Sequence, residues 1–416
     1  MAVASLAPLR HRSYLLAWSS AFVSSVGTWM QSVALGVYLT VTTHDPLWLG
    51  LVTLAGWLPS VIGSPLGGVM ADRVRRERWI QGCNLVMAAT SGTLALAALS
   101  GHLHPVLAVE LAVGEGLASS AAWPAWQSLL RDLVDESEVL AAVSLASAQF
   151  NLGRVVGPVL AALALAIGSP GVAFAINAGT FVVVVVAFAF VRSAPRERRT
   201  DRPRPGYELR EGARRAWAVA GCRQPIIAVS VVSLTLSPFI ALIPAFAIDV
   251  LHAGRYGTSI LVTAQGVGAV VGALAAPGLA QRTSRSSVLA ISLVGAVASA
   301  LAYATASNIE WAAVALTILG ACYVGVLTGL NTSVQLHAPT RERARIIALY
   351  QMAMSIAYPL GALVQSAEAR HAGVRLVSAV GAGTLGLVAA LALVARPRSW
   401  GEMTSTPERS PRILAD

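Results

Sequence analysis

Three ionisable residues interrupt long apolar stretches of the sequence: Glu110 and Glu115 in one stretch, and Arg154 in the next. Such groups are costly inside a bilayer, which makes them candidates for function. A carboxyl group whose surroundings change can take up and release a proton, and a nearby cation tunes that exchange. We expect Glu115 to be the main protonation site, tuned by Arg154, with Glu110 as the runner-up. The alternative is a permanent Glu115–Arg154 salt bridge with a structural role.

Other polar and aromatic residues of the apolar stretches could line a cavity, because aromatic rings stack on planar or cationic molecules. Each of them is also compatible with packing or with anchoring at a membrane interface. The candidates for such a substrate cavity are Trp29, Gln31, Trp123, Trp126, Gln127, Asn331, Gln335, Tyr350, Gln351 and Tyr358.

The composition requires most of the chain to lie in lipid. It has 416 residues, of which 56% are hydrophobic and 12% are charged, against about 25% charged in a soluble domain. A membrane-spanning helix needs about 20 mostly apolar residues, and we interpret the first run as a retained span rather than a cleaved signal. The sequence predicts twelve such spans, at 14–40, 47–70, 79–100, 105–130, 139–167, 171–192, 226–248, 259–281, 287–306, 311–334, 346–367 and 374–394.

The arginines predict how the spans are oriented. All 30 basic residues are arginine, and 26 of them lie on the side that carries the N-terminus and the C-terminal tail. The positive-inside rule then predicts that both termini are cytoplasmic. The net charge of +10 is explained by this topology, so we expect no nucleic-acid partner. The absence of lysine suggests a GC-rich genome, and hence a bacterial plasma membrane.

One long hydrophilic segment divides the chain into halves of similar length, which predicts a domain organisation. The predicted parts are an N-terminal six-helix bundle at 1–192, a cytoplasmic linker at 193–225, a C-terminal six-helix bundle at 226–396 and a cytoplasmic tail at 397–416.

The two halves resemble each other at one loop. With a shift of 209 residues, Gly63 falls on Gly272, Arg73 on Arg282 and Arg76 on Arg285. Parallel six-span repeats are a known transporter architecture, in which the substrate site lies between the halves near the middle of the bilayer.

The segment "GVMADRVRRER", Gly68 to Arg78, resembles the loop signature of the major facilitator superfamily, Gly-x-x-x-Asp-Arg-x-Gly-x-Arg/Lys-Arg/Lys. Gly68, Asp72 and Arg73 match it, and Arg76 lies at the basic positions. We expect Gly68 to allow a close helix approach, and Asp72 and Arg73 to form a conformational latch between the halves. A solvated loop that only sets the topology is the alternative.

A second motif, "NLGRVVGPVLAALA", is similar to the signature of drug–proton antiporters of this superfamily through Gly153, Gly157 and Pro158. Small residues four apart permit close helix contact, and an internal proline kinks a helix. More extended similarity points to the branch that holds macrolide efflux proteins and the enterobactin exporter. The resemblance implies an all-α membrane protein of twelve transmembrane helices in two pseudo-symmetric bundles, the major facilitator fold.

The same resemblance implies a secondary active transporter that exports drugs or small amphipathic metabolites by alternating access, coupled to protons. The alternatives are a siderophore-specific or metabolite-specific exporter, a lipid transporter of the same fold, or a membrane sensor that transports nothing. The expected partners are a small-molecule substrate, protons and the lipid bilayer, and we expect a monomer.

Several classes of site are missing from the sequence. It has no HExxH, no nucleophile elbow and no Walker phosphate loop, so we expect neither an enzyme nor an ATP-driven pump. The cysteines Cys83, Cys222 and Cys322 lack disulfide or metal spacing. His102 and His104 lack an evident third ligand nearby. We therefore expect no metal and no cofactor.

Overall fold

The structure is a computed structural model that describes residues 6–167, 169–193, 214, 216–339 and 342–395. The predicted tail and most of the predicted linker lie outside these residues. Within them, the fold consists of twelve long helices: α1 (Arg12–Thr43), α2 (Leu47–Arg73), α3 (Arg76–Leu99), α4 (Pro105–Asp132), α5 (Val139–Ile167), α6 (Pro170–Phe190), α7 (Ala220–Val250), α8 (Gly254–Arg282), α9 (Arg285–Ala304), α10 (Ile309–His337), α11 (Arg343–Ala372) and α12 (Val374–Ala395).

Eleven of the described helices, α2 to α12, are long and apolar enough to cross a membrane. The other one, α1, has 32 residues and is long enough, but falls outside this set. The helices match the predicted spans one for one, with the largest differences at α7, which begins at Ala220 rather than near residue 226, at α8, which begins at Gly254 rather than near 259, and at α11, which ends at Ala372 rather than near 367. The first turns of α7 include the polar residues Arg223 and Gln224, so the apolar run in the sequence begins later than the helix does.

Short polar residues start several helices. Asn308 caps α10 by accepting a hydrogen bond from the Trp311 N–H at 2.9 Å, and Ser284 caps α9 in the same way through the Ser287 N–H at 3.0 Å. His104 Nδ1 accepts from the Leu107 N–H at 3.2 Å before Pro105 opens α4. These contacts satisfy backbone groups that the helix itself leaves unpaired, and no lipid could replace them.

The repeat predicted from the sequence is present in the fold. Helix α2 ends at Arg73 and α3 begins at Arg76, while α8 ends at Arg282 and α9 begins at Arg285, again 209 residues later. Gly63 packs α2 against α4, where an added Cβ would collide with Ser120, and Gly272 packs α8 against α10, where it would collide with Ala321.

The halves meet mainly through three pairs of helices, α1 with α7, α2 with α11, and α5 with α8, and α1 also contacts α8 while α2 contacts α7. In the repeat, α2 corresponds to α8 and α5 corresponds to α11. The contact of α2 with α11 is therefore equivalent to the contact of α8 with α5, and the halves are related by a pseudo-two-fold axis. We call the side with the N-terminus and the α2–α3 turn the terminal side, and the side with Asp45 and His252 the distal side.

The buried apolar residues show where the halves join. One large cluster contains distal residues of the first half, such as Leu39, Leu49 and Leu165, together with residues of α7 to α12. The terminal residues of the first half form a separate cluster around Tyr14, Leu129 and Phe188, which includes no residue of the second half. The apolar core is therefore continuous between the halves on the distal side.

Candidate functional site

Glu115 lies on α4 and is the described carboxylate farthest from any helix end. It is about 15 Å along the helix from Pro105, at 1.5 Å per residue. One of its carboxylate oxygens accepts a hydrogen bond of 2.6 Å from Gln31 Nε2 on α1. This partner is an uncharged amide, and the described ion pairs do not include Glu115.

Gln31 connects Glu115 to further polar side chains. Gln31 Oε1 accepts hydrogen bonds from Ser91 Oγ on α3 and from Asn177 Nδ2 on α6, the latter at 3.0 Å. Thr180 Oγ1 donates to Asn177 Oδ1 at 3.0 Å. We call Gln31, Ser91, Glu115, Asn177 and Thr180 the N-half polar network. It joins α1, α3, α4 and α6, and all members except Glu115 are buried.

Glu110 lies outside the N-half polar network. Five residues along a helix turn a side chain by about 140° relative to Glu115, and Glu110 is exposed on the same helix. Among the described residues it has neither a hydrogen bond nor an ion pair. The structure therefore separates the two glutamates that the sequence analysis considered for one role.

Arg154 has a different partner from the one that the sequence suggested. Its Nη2 donates a hydrogen bond of 2.7 Å to Gln265 Oε1 on α8, across the boundary between the halves. Its guanidinium also lies over the Trp29 ring, 5.2 Å from the centroid. The described ion pairs include none between Glu115 and Arg154, because Glu115 contacts α1 whereas Arg154 reaches α8.

The glycines of the α5 motif make the close contact expected of them. Cβ atoms at Gly153 and Gly157 would collide with α1, at Ser25 and at Trp29 respectively. An added Cβ at Gly157 would also lie 2.8 Å from the Val26 carbonyl oxygen. Pro158 is buried beside them. Because α5 packs this closely on α1, Trp29 and Arg154 come into contact.

The remaining cavity candidates do not converge on one point. Trp126 packs against Phe188 inside the first half, with ring centroids 6.4 Å apart, and Tyr350 is buried and donates to the Leu327 carbonyl at 3.1 Å. Tyr358 contacts Trp57 across the halves, with centroids 5.4 Å apart. The others are partly or fully exposed, and one of their contacts is a hydrogen bond of 3.0 Å from Gln335 to Asn331.

Sequence reasoning missed Ser91, Asn177, Gln265, Trp57 and Tyr323. The hydroxyl of Tyr323 forms a hydrogen bond of 2.8 Å with Ser237, and its ring lies near enough to Arg154 to interact electrostatically. Asn177 and Gln265 were detectable as amides deep in apolar runs. Ser91 and Tyr323 resemble ordinary helix residues, so only the packing reveals them.

The α2–α3 loop differs in detail from the sequence-based expectation. An added Cβ at Gly68 would meet no atom within 4 Å, so Gly68 makes no close approach here. The neighbouring Gly67 does, since a Cβ there would collide with the Ala121 backbone of α4. Gly68 is the next residue along the helix, so a Cβ added there would point away from α4.

Of the predicted latch residues, Asp72 and Arg73 are exposed and have no described side-chain partner in the second half. Arg76 is buried and forms an ion pair with Asp132 at the end of α4. Arg76 therefore joins helices of the first half and does not bridge the halves in this conformation. Its neighbour Glu77, also buried, accepts hydrogen bonds from the Ser193 N–H at 3.1 Å and from the Ser193 hydroxyl.

A further group of titratable residues lies on the terminal side. The ligand atoms of His11, Asp135 and Glu138 all lie within 4.8 Å of one another, a spacing that could hold a metal ion. His11 Nε2 already forms a hydrogen bond of 2.6 Å with Glu138, which joins the start of α1 to the α4–α5 turn.

The architecture has well-resolved counterparts among known structures. The chain is similar to a bacterial homologue of the human lysosomal transporter Spinster in an inward-facing conformation, with a TM-score of 0.76, 13% identity and coverage of 96% of this chain and 99% of that one. It is also similar to the nucleoside transporter NupG, with a TM-score of 0.73, 16% identity and coverage of 92% and 98%. Two six-helix halves in this arrangement are the major facilitator fold.

The model of the transmembrane secretion effector family matches residues 3–413, and the chain belongs to this family. Macrolide efflux protein A of Streptococcus pyogenes is 22% identical over 364 residues, which cover 86% of this chain and 89% of that protein. The enterobactin exporter EntS of Citrobacter koseri is 27% identical over 296 residues, 68% of each chain. The protein is thus a multi-pass membrane transporter and not an enzyme.

Proposed function

We propose that this protein exports drugs or small amphipathic metabolites across a bacterial plasma membrane and couples their export to proton entry. The observation that carries the proposal is the position of Glu115, a carboxyl group about 15 Å along its helix whose hydrogen-bond donor is the uncharged Gln31 amide. The names of the relatives, a macrolide efflux protein and an enterobactin exporter, support export as the direction.

The surroundings of Glu115 are compatible with both its protonated and its ionised form. A half-buried carboxylate at mid-depth in a membrane helix is destabilising when no cation pairs with it, and protonation removes that cost. The Gln31 amide can stabilise the carboxylate by donating to it. Ser91 and Asn177, on the other side of the Gln31 side chain, hold that amide in place. In the proposed mechanism, Glu115 crosses between the two aqueous faces only in the protonated or substrate-bound state.

The proposed alternating access uses the boundary between the halves. In the described conformation, the cross-half contacts are at mid-depth or on the distal side, from Trp57–Tyr358 to Arg370–Asp45. Substrate would enter from the terminal side and leave after a rigid-body movement that opens the distal side. This corresponds to export if the termini are cytoplasmic, as the distribution of arginines predicts.

The proposed organisation is a monomer with bundles at 1–192 and 226–396, a linker at 193–225 and a cytoplasmic tail. We expect membrane-impermeant thiol reagents applied from outside the cell to label cysteines introduced at Asp45, His102 and Gly254. Cysteines at Arg75 and Arg202 should be protected until the membrane is permeabilised. The reverse pattern would contradict the orientation.

The proposed coupling is tested in proteoliposomes with an imposed pH gradient and a substrate found by drug and siderophore susceptibility screening in a pump-deficient host. Glu115→Gln fixes the neutral form, so we expect gradient-driven accumulation to be abolished while substrate binding stays measurable. Glu310→Gln is the matched control, because Glu310 is an exposed carboxylate at the distal end of α10.

The outcomes separate the alternatives. Normal accumulation by Glu115→Gln would refute Glu115 as the proton carrier, and loss of accumulation in Glu110→Gln would then identify Glu110. A wild-type protein that transports none of the screened compounds, with or without a pH gradient, would favour the sensor that transports nothing.

A further inference from the structure

Arg154 lies at mid-depth in α5, where the two halves meet. Its guanidinium lies 5.2 Å from the centroid of the Trp29 ring and donates one hydrogen bond to Gln265 Oε1 on α8. The α8 backbone is also close, because an added Cβ at Gly266 would lie 3.0 Å from the Arg154 carbonyl oxygen. Arg154 is 15 residues from the start of α5 and 13 residues from its end, far from both aqueous faces.

Two hydrogen-bond donors at this position have no partner. Arg154 Nε and Gln265 Nε2 are both buried without a hydrogen bond, and Gln265 is only 1% exposed. The orientation of the glutamine amide follows from chemistry, since arginine has only donors and must be met by the glutamine oxygen. A buried donor without an acceptor is destabilising, so an acceptor that reaches both nitrogens would be favoured.

The positive charge is also uncompensated. None of the described carboxylates forms an ion pair with Arg154, and Glu115 is hydrogen-bonded to Gln31 instead. The phenols of Tyr323 and Tyr358 in the second half also lie near the guanidinium, but a neutral phenol supplies no counter-charge. An intramembrane cation generally pairs with a protein group or marks a ligand path. Here the described part of the chain supplies no anion.

Aromatic rings surround this position. Trp29 lies under the guanidinium and meets Phe150 edge to face at 6.0 Å, and Phe150 is 46% exposed. Tyr358 meets Trp57 across the halves. Such rings provide a large apolar surface at a small cost in conformational entropy.

We propose that Arg154 and Gln265 form the subsite for an anionic group of the cargo, and that the transported compounds include aromatic or amphipathic organic anions such as carboxylates. The oxyanion accepts hydrogen bonds from Arg154 Nε and Gln265 Nε2, while the apolar body of the cargo packs on the aromatic rings. Because the two donors belong to different halves, movement of the halves separates them and releases the anion. This inference rests on the proposed transport function and adds a substrate class to it.

The test measures equilibrium binding of two probes of the same shape, 2-naphthoate and 2-naphthamide, to the full chain in detergent. We expect wild type to bind the carboxylate at least tenfold more tightly than the amide. Arg154→Gln should remove this preference, and Arg154→Lys should retain only part of it, because lysine lacks the planar fork of donors.

Gln265→Glu is an independent test of the subsite, in which residue 265 can still accept a hydrogen bond from Arg154. The new carboxylate would occupy the place of the ligand anion, so naphthoate binding should be lost. Arg375→Gln is the matched control. Arg375 also lies over an aromatic ring, Phe246, at 5.7 Å and donates one hydrogen bond, to the Ala304 carbonyl, but entirely within the second half. Its loss should leave the preference unchanged.

Equal binding of the two probes by wild type, no naphthoate binding at millimolar concentration, or a preference that survives in Arg154→Gln would overturn the proposal. These results are separate from the transport assay. A carrier that is driven by a pH gradient but shows no anion preference would retain the proposed function and lose this subsite. If wild type prefers the anion and Glu115→Gln still couples transport to the pH gradient normally, the anion subsite would be supported and Glu115 would be refuted as the proton carrier.

Discussion

The distal and terminal sides of this transporter use charged residues for different purposes. On the distal side they join the halves: Arg370 pairs with Asp45 at 3.0 Å, His44 lies 3.4 Å from Asp249, and Arg255 donates to the Leu165 carbonyl at 3.0 Å. On the terminal side, three of the described charged contacts hold the first half together: Arg76 with Asp132, Glu77 with Ser193 and His11 with Glu138.

The difference in burial shows which contacts can break during transport. The Arg370 side chain is 46% exposed, whereas that of Arg76 is 8% exposed. An exposed ion pair contributes about 0–1 kcal/mol, while breaking a buried one by removing one partner costs about 3–5 kcal/mol. The exposed ion pair therefore adds little to the cost of parting the halves on the distal side, and the buried one helps to keep the first half rigid as it moves.

The largest expected effect is on the terminal side, at the buried ion pair. Arg76→Gln leaves Asp132 without its cation, so we expect the free energy of unfolding to fall by about 3–5 kcal/mol. Arg78→Gln is the control, because Arg78 is exposed in the same turn and surface changes stay within about 0.5 kcal/mol. Denaturant unfolding of the purified chain measures both. Equal stability of the two variants would remove the contrast between the sides.

The next effect is on the distal closure itself. An added Cβ at Gly50 would lie 2.8 Å from Ser366 Cβ and 2.9 Å from the Ala362 carbonyl oxygen, so Gly50→Ala should push α2 away from α11. We expect a several-fold shift towards a distally open population. Spin labels at Thr42 and His371, exposed distal positions in different halves, should move apart.

The control for this variant lies on the same helix. An added Cβ at Gly56 would meet no atom within 4 Å, so Gly56→Ala should leave the label distance unchanged. A distance that stays the same in Gly50→Ala would mean that α2 and α11 can accommodate the methyl group without opening.

Much of this fold could be predicted from the sequence, because lipid imposes a simple rule on composition. Apolar runs of about 20 residues predicted the helices, and the repeated loop at Arg76 and Arg285 predicted the two halves. The start of α7 was missed because polar residues near the end of a span, such as Arg223, are tolerated at the membrane surface.

The contacts of the site were harder to predict. Sequence position places Glu115 and Arg154 at mid-depth, but the direction of each side chain decides its partner. Inside one half, Gln31 meets Glu115 and Asn177 meets Gln31, whereas Gln265 meets Arg154 from the other half. A single sequence contains no information about these pairings between distant helices. Gly68 shows the same limit, since its neighbour Gly67 makes the close contact.

A smaller effect is expected from the exposed distal ion pair. Asp45→Asn removes the charge that faces Arg370, which should favour the distally open population by about fivefold or less, equivalent to at most about 1 kcal/mol. Salt screens such a pair, so wild type at 1 M salt should approach the variant at low salt. The Thr42–His371 label distance measures both conditions. A salt-independent difference would show that Asp45 acts through another contact, such as its cap on the Leu47 N–H.

The smallest effect in the described conformation is expected at Asp72. Its side chain is exposed and has no described partner, so Asp72→Asn should leave the free energy of unfolding and the Thr42–His371 distance of this conformation unchanged. If Asp72 forms a latch once the terminal side closes, the variant should nevertheless transport more slowly, because the closed terminal state loses a charge at a helix end. Labels at Arg78 and Gln335, exposed terminal positions of the two halves, should then report a smaller closed fraction. Unchanged transport together with an unchanged closed fraction would reduce Asp72 to a residue of a solvated loop, and the distal side alone would control the cycle through charged contacts between the halves.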